Sequence, residues 1–261
     1  MIDKTAVIDP SAQIAEDAII GPHVVIGKNV KIGARTRITA YAYIEYAEIG
    51  EDCTISSFAT IGTEPQDLGY KGEETKVIIG NGTIIKENVT VHRAAACGDF
   101  TTRVGNKCLL MVGSHVAHNC VLEDEVILAN LVTLGGHIHV GFGAFVGGMS
   151  VFHQNIRIGK MAIVSGFSAA RQDILPYSKA DGRPAIPRGV NVIALKRRGV
   201  SQEERTVVNE AFKIIISTEF NTAQSIEKIR KEFPANKYVD DMVEFLETSK
   251  RGVTLDLSKH E

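Results

Sequence analysis

Aliphatic side chains recur along this chain at every sixth position. From Ile8 the step falls on Ile14, Ile20, Ile26, Ile32, Ile38 and Ile44, shortens once to reach Ile49, and continues through Ile55 and Ile61. It resumes at Ile79, Ile85 and Val91, and again at Val104, from which it runs unbroken through Leu110, Val116, Leu122, Leu128, Leu134, Val140, Val146, Phe152 and Ile158 to Val164. Of these 24 positions only Phe152 is not Ile, Leu or Val. An amphipathic helix repeats at 3.6 residues and a half-buried strand at 2; a step of six suits neither. It suits a short strand and a turn forming one face of a coil, with the aliphatic side chain inside and Gly or a small residue bending the corner. Three such faces close a triangular turn. Turns stacked at strand spacing, about 4.8 Å, pair their backbones with the turns above and below. The pattern therefore predicts a parallel β-helix of about eight turns, roughly 38 Å long.

The phase breaks twice, at residues 63–76 and 93–103. Both breaks read as loops thrown out from the prism, where binding and catalytic residues concentrate. The period stops near residue 170. The run ILPYSKADGRPAIPRGVN is rich in Pro and Gly and reads as an extended exit segment. A helical pattern follows. Ser201 with Glu204 makes a capping box ahead of Val207, Val208, Ala211, Phe212, Ile215 and Ile216. Thr222 caps a second helix carrying Ile226, Ile229 and Phe233, and a third runs from about Tyr238 to Thr248. The expected organisation is a β-helix over residues 1–190 and a small helical domain over 191–261, placed to cover an open end of the prism.

Composition narrows the function classes. A formal net charge of -2 gives no global pull toward nucleic acid or membrane, so any basic patch is local. Cys53, Cys97, Cys108 and Cys120 show no CxxC spacing and read as free thiols of a reducing, cytoplasmic compartment. The N-terminal MIDKTAVIDP has no apolar signal-peptide core, and no apolar run reaches the roughly 18 residues of a membrane span.

Hexapeptide repeats followed in order by MVGSHVAHNC, GGH, FHQ and GVNVIALKRRG, with EPQDLGYKGEE in the first loop and SKRGV near the end, resemble the bacterial UDP-N-acetylglucosamine O-acyltransferases of lipid A synthesis. The hexapeptide repeat alone is shared by acetyltransferases, succinylases and γ-class carbonic anhydrases; the ordered histidine motifs are far more specific. The resemblance implies an all-β left-handed parallel β-helix followed by a small C-terminal α-helical domain. It implies transfer of a (3-hydroxy)fatty acyl group from acyl carrier protein to the 3-position of UDP-N-acetylglucosamine. His118 is then the general base and Gly136 the oxyanion-binding N–H. His115, His137, His153 and Gln154 line the acceptor site, Asp67 touches the sugar, and Asn191 with Arg197 and Arg198 faces nucleotide and carrier. Gly166 forms part of the wall that limits acyl length. Phosphopantetheine arrives on the carrier, so no cofactor is bound, and the family assembles as a homotrimer with active sites between subunits. Two positions depart from the family pattern: Asn119 stands where Asp follows the base, and Gly69 where a Lys follows the QDL aspartate. Both lie toward the acceptor, which leaves a 3-amino analogue of the sugar as a further acceptor.

The coil length offers a check that uses no resemblance. Steps of 18 residues lead from His118 to Gly136 to Gln154, and from Asn119 to His137 to Asn155. Each set should stack in a column at about 4.8 Å per coil, placing a base beside an accessible N–H, the pair that acyl transfer needs. Other readings of the same residues exist. Single histidines are commonly surface or satisfied core residues, and a cluster of His115, His118, His137, His139 and His153 also fits a zinc site of the γ-carbonic anhydrase type if three imidazoles converge. Lys196, Arg197 and Arg198 fit a solvated face, Asp67 a turn, and Gly166 a repeat corner. A non-enzymatic scaffold would carry regular outward arrays, which the clustered histidines do not form.

Overall fold

A computed structural model describes residues 1–234 and 236–255. All 24 positions of the sixfold step end a strand, from Val7–Ile8 to Ile163–Val164. The strands sort into three sheets of nine, eight and ten strands, the faces of a left-handed parallel β-helix. Register follows the coil: Val116 pairs with Leu134 and Leu134 with Phe152 on the first face, and Leu122 with Val140 on the second. From Ile20 on, the aliphatic rungs are almost fully buried, each contributing about 1.5–3 kcal/mol of burial.

Glycine works differently from the expectation. The corners turn through left-handed residues that are mostly not glycine, among them Tyr41, Phe58, Asn119, His137, Asn155 and Phe167. Glycine instead follows the rung where one coil crosses close over the next: a Cβ on Gly33 would lie 2.6 Å from Gly50 C, and one on Gly147 2.4 Å from Gly166 N. The parallel ladder fixes corner geometry firmly enough to hold side chains at positive φ, a cost of roughly 1–2 kcal/mol each.

The exit segment is more ordered than its composition suggests. Ser178–Gly182 continues the third sheet beside Ile163–Val164 and turns back as an antiparallel hairpin with Ala185–Val190. Pro187 is tolerated because the returning strand is the edge of the sheet. Four helices follow among the described residues: α1 (Val192–Arg197), which the pattern did not announce, α2 (Gln202–Ile215), α3 (Thr222–Glu232) and α4 (Lys237–Glu247). The Ser201/Glu204 capping box is present, whereas Asn221 rather than Thr222 caps α3. Phe212, Ile229, Met242 and Leu246 bury against Met161, Leu175, Tyr177 and Val190 of the last coil and exit segment. Arg157 and Lys160 fasten α4 through Phe245 O and Asp241. Residues 256–261 of the expected helical domain lie outside the described residues. Among the described residues no helix is long and apolar enough to cross a membrane.

Candidate active site

Both loops leave the same edge of the prism, between the first and second faces. One joins Thr60–Ile61 to Lys76–Ile79, the other Thr90–Val91 to Thr101–Val104. The next three coils place His118, Gly136 and Gln154 on that edge. Ladder bonds fix the stacking: His137 N–H donates to His118 O at 3.0 Å, and Asn155 N–H to Gly136 O at 2.9 Å. The columns expected from the 18-residue step are present, and the loops wall them.

His118 is 8% exposed. Its Nδ1 lies 2.9 Å from Asn119 Oδ1. That amide is oriented by its other contacts: Oδ1 accepts from Ala95 N–H at 2.9 Å, and Nδ2 donates to Ala95 O at 3.3 Å and Cys97 O at 3.1 Å. An oxygen so fixed requires the proton on His118 Nδ1, which leaves the lone pair on Nε2. Asn119 holds this pose at φ +57°, a conformation Asn adopts more readily than most residues. On the coil above, Gly136 has no Cβ because none would fit: it would lie 2.5 Å from His118 Cε1 and 2.6 Å from Nε2. Gly136 N–H meets no acceptor among the described residues. The lone pair thus lies against the one glycine of the column, whose N–H has no backbone acceptor among the described residues.

Other imidazoles surround the base. His137 stands edge-on to His118 with ring centroids 5.1 Å apart. Burial and the His118 charge hold it below the ordinary imidazole range, against a smaller opposing pull from the Asp67 carboxylate. The Asp67 carboxylate itself closes a turn by accepting from Gly69 N–H at 2.8 Å. His115 Nδ1 meets Thr90 Oγ1 at 2.7 Å, and burial first, then His118, lowers its pKa. His153 and Gln154 lie one coil beyond Gly136, where Arg251 reaches His153 Nδ1 at 2.6 Å and Gln154 O at 2.9 Å. His139 turns to the second face and pairs with Glu123. Among the described residues no three His, Cys, Asp or Glu side chains gather as ligands for one metal ion.

Four expected residues are not on this edge of the chain. Asn191 caps α1 and donates to Met161 O, and Arg198 pairs with Glu125 over the Phe142 ring, both on the edge between the second and third faces. Arg197 sits beside them on α1. Gly166 is on the remaining edge, where a Cβ would approach Gly148 O at 3.1 Å. Sequence reasoning missed three contributors. His92, in edge contact with His115, is buried, and burial followed by its histidine neighbours pushes its pKa down to about 4. Arg93 spans Glu45 and Gly62 O and donates to Tyr70 OH, tying the first loop to the prism. Arg251 is the third. His92 and Arg93 stand at the start of the second loop, a position that was a usable signal; Arg251 lies in SKRGV, a motif with no chemistry of its own.

An imidazole with one nitrogen fixed as donor and the other free, beside an unpartnered backbone N–H, defines a β-helix protein built for acyl transfer. A sequence profile described as Udp N-acetylglucosamine O-acyltransferase, Domain 2, matches residues 173–254, and one described as the GMPPB C-terminal domain matches residues 2–98. The Acyl-[acyl-carrier-protein]--UDP-N-acetylglucosamine O-acyltransferase of Thermodesulfovibrio yellowstonii is 44% identical over 206 residues, covering 79% of this chain and 80% of that relative. The Synechocystis protein of the same name is 42% identical over 202 residues, covering 77% and 72%. LpxA from Acinetobacter baumannii superimposes with a TM-score of 0.95 at 38% identity over 97% of this chain and 99% of that one. The Francisella novicida UDP-N-acetylglucosamine acyltransferase does so with 0.95 at 34% identity over 100% and 96%. The chain belongs to the acyl-[acyl-carrier-protein]–UDP-N-acetylglucosamine O-acyltransferase family.

Proposed function

We propose that this chain transfers a fatty acyl group from acyl carrier protein to the 3-position of UDP-N-acetylglucosamine, the opening step of lipid A synthesis. The observation that carries the reading is His118 Nε2, free and set against Gly136. His118 Nε2 takes the proton of the 3-hydroxyl as its oxygen attacks the thioester carbonyl. The new C–O bond leaves a tetrahedral oxyanion, which accepts from Gly136 N–H. The C–S bond breaks, and the imidazolium returns its proton to the departing sulfur, leaving acylated sugar and free carrier thiol. The acyl group arrives on the carrier's phosphopantetheine, so no resident cofactor enters the scheme. His115 and His137, held toward the neutral form, supply polar contacts to the sugar without competing for its proton. The acceptor side also suits a 3-amino analogue: Asn119 adds no charge beside the base, and Gly69 adds none beside Asp67.

The active unit in this reading is a cytoplasmic homotrimer. Ile84, Leu109, Ile127, Phe145 and Ile163 form an outward apolar ladder in register on the third face. Leu131 and Met149, both exposed, continue it along the adjoining edge. Such a surface favours association with a second copy, which would bring Asn191, Arg197, Arg198 and Gly166 of one copy toward His118 of another. Four unpaired cysteines agree with a reducing compartment. The test is thiol release from a panel of acyl carrier proteins with both UDP-sugars, read by mass spectrometry of product, beside sedimentation equilibrium. Absence of acyl-sugar with every donor, from a folded and fully assembled sample, refutes the reading.

A further inference from the structure

The first face ends in a recess that the mechanism does not use. Between Ala169 and the hairpin lies a cavity of about 930 Å³, with Pro184 and Ile186 among its apolar walls and Arg171, Arg183 and Arg188 around it. All three arginines are exposed. Among the described residues none of them makes an ion pair, whereas Arg157 and Arg198 on the neighbouring surfaces are each bound to a carboxylate. Arg183 instead donates to Phe167 O and lies over the Phe167 ring, which holds its fork in place. Arginines without counter-ions among the described residues, around an apolar hollow in a chain of net charge -2, form a local anion-seeking surface.

Its position relative to the base gives it a partner. The outward column of the first face runs in register from His115 through Thr133 and Val151 to Ala169 at the recess. Along the catalytic edge the column His118, Gly136, Gln154 continues one coil further to Gln172, which also lines the recess. Three coils separate base from recess, about 14 Å. A phosphopantetheine arm is comparable to about five residues of extended chain, roughly 17 Å, so it spans this distance with its phosphate left near the arginines. Arg251, on His153 and Gln154, stands along the way.

We propose that the Arg171–Arg183–Arg188 recess is where the acyl carrier protein docks, its acidic surface on the arginines and its arm lying along the first face and catalytic edge to His118. The inference rests on the carrier being the acyl donor, as read above. Arginine forks grip phosphate and carboxylate in paired hydrogen bonds, and rim charges of this kind act on association rate and on salt dependence.

The experiment compares two donors, acyl carrier protein and the matching acyl-pantetheine thioester, in wild type, Arg171→Glu/Arg188→Glu and the milder Arg171→Gln/Arg188→Gln. The expected result is a KM for the carrier raised about tenfold at low salt by the charge reversal, shrinking as salt screens the surface. With acyl-pantetheine, kcat and KM should match wild type. The Gln pair should show the same selectivity at smaller size, which keeps the test valid if the reversal folds poorly. An unchanged carrier KM in both variants overturns the proposal. So does equal impairment with both donors, which assigns the arginines to the integrity of the site. A lowered oligomeric mass in the variants makes the recess a contact between copies and likewise overturns it. Wild-type turnover of acyl-pantetheine but of no acyl carrier protein refutes the donor reading beneath it.

Discussion

One methyl group tests the base and its neighbour together. Gly136→Ala places a Cβ 2.5 Å from His118 Cε1 and 2.6 Å from Nε2. Carbon atoms in good contact sit at about 3.5–4.0 Å, so the ring must retreat by about 1 Å or more. The retreat breaks or stretches the 2.9 Å bond from Nδ1 to Asn119, worth about 0.5–1.5 kcal/mol. It also moves Nε2 off the line to the hydroxyl, and a misplacement of about 1 Å costs on the order of 10²-fold in rate. The backbone resists little, because Gly136 is absent from the left-handed residues and alanine fits its conformation. Alanine there even removes freedom from the unfolded chain, about 0.4–1 kcal/mol, which offsets the lost hydrogen bond. The expected outcome is a kcat about 100-fold lower with a melting temperature within a few degrees of wild type. Steady-state thiol release at saturating donor and acceptor, with a thermal melt on the same sample, measures both. A folded variant retaining more than about a third of wild-type kcat, where chemistry limits the rate, shows that the ring can yield without cost and refutes the reasoning.

Four further outcomes follow from the same geometry. His118→Ala should lower kcat by about 10²–10⁴-fold without unfolding the prism; a folded variant above about a tenth of wild-type kcat removes His118 as base. Asn119→Asp sets a carboxylate oxygen where Nδ2 now donates to two carbonyls, so KM for the UDP-sugar should rise as the second loop loosens. The charge beside Nδ1 should move the acid limb of the kcat/KM profile to higher pH, and an acid limb that stays in place separates residue 119 from the base. Arg197→Ala/Arg198→Ala should raise a substrate KM more than it lowers kcat, most clearly at low salt; unchanged KM for both substrates leaves the pair a solvated face. His92, lowered to about 4 from 6.5, binds fewer protons folded than unfolded. Stability is therefore full above the unfolded value and falls as pH drops from 6.5 toward 4, by up to about 3 kcal/mol. Melts of wild type and His92→Phe across that window should converge in slope only if another group is responsible.

The prism was legible in the sequence because its inner lattice tolerates almost nothing but aliphatic side chains. A rung such as Leu128 or Val146 touches the same kind of neighbour on every coil, so the constraint repeats and the period is visible. The catalytic column was legible for the same reason, since 18 residues carry His118 onto Gly136 wherever no loop intervenes. The hairpin after residue 177 was not. Its strands obey pairing with a single neighbour rather than a repeat, and Pro184 and Pro187 hide it in a composition that suggests extended chain. Helix α1 was hidden by its length, six residues, too short for a period to show. His92 and Arg93 showed only their position at the start of the second loop, whereas Arg251 was invisible, because it reaches His153 and Gln154 from the far end of the chain, where no step in the sequence predicts proximity.

A β-helix of this kind has a solid core and flat faces, which sets how a site can be made on it. Residues on one edge stack at coil spacing, close enough for a base and a donor to share a reacting atom, but nothing on a flat edge excludes water. Walls must come from outside the repeat. Here both interruptions of the phase fall on the catalytic edge, and each is tied down by a polar residue of that edge: Arg93 holds the first loop through Tyr70, and Asn119 holds the second through Ala95 and Cys97. Asn119 therefore serves two ends at once. Its oxygen fixes the tautomer of the base, and its amide nitrogen fastens the second loop by donating to Ala95 O and Cys97 O, a task no carboxylate can perform. An Asp at this place could still accept from Ala95 N–H, but the bonds to Ala95 O and Cys97 O would be lost. The departure at position 119 is thus tied to the course of residues 93–103, and the two should be exchanged together rather than singly when one member of the family is converted toward another.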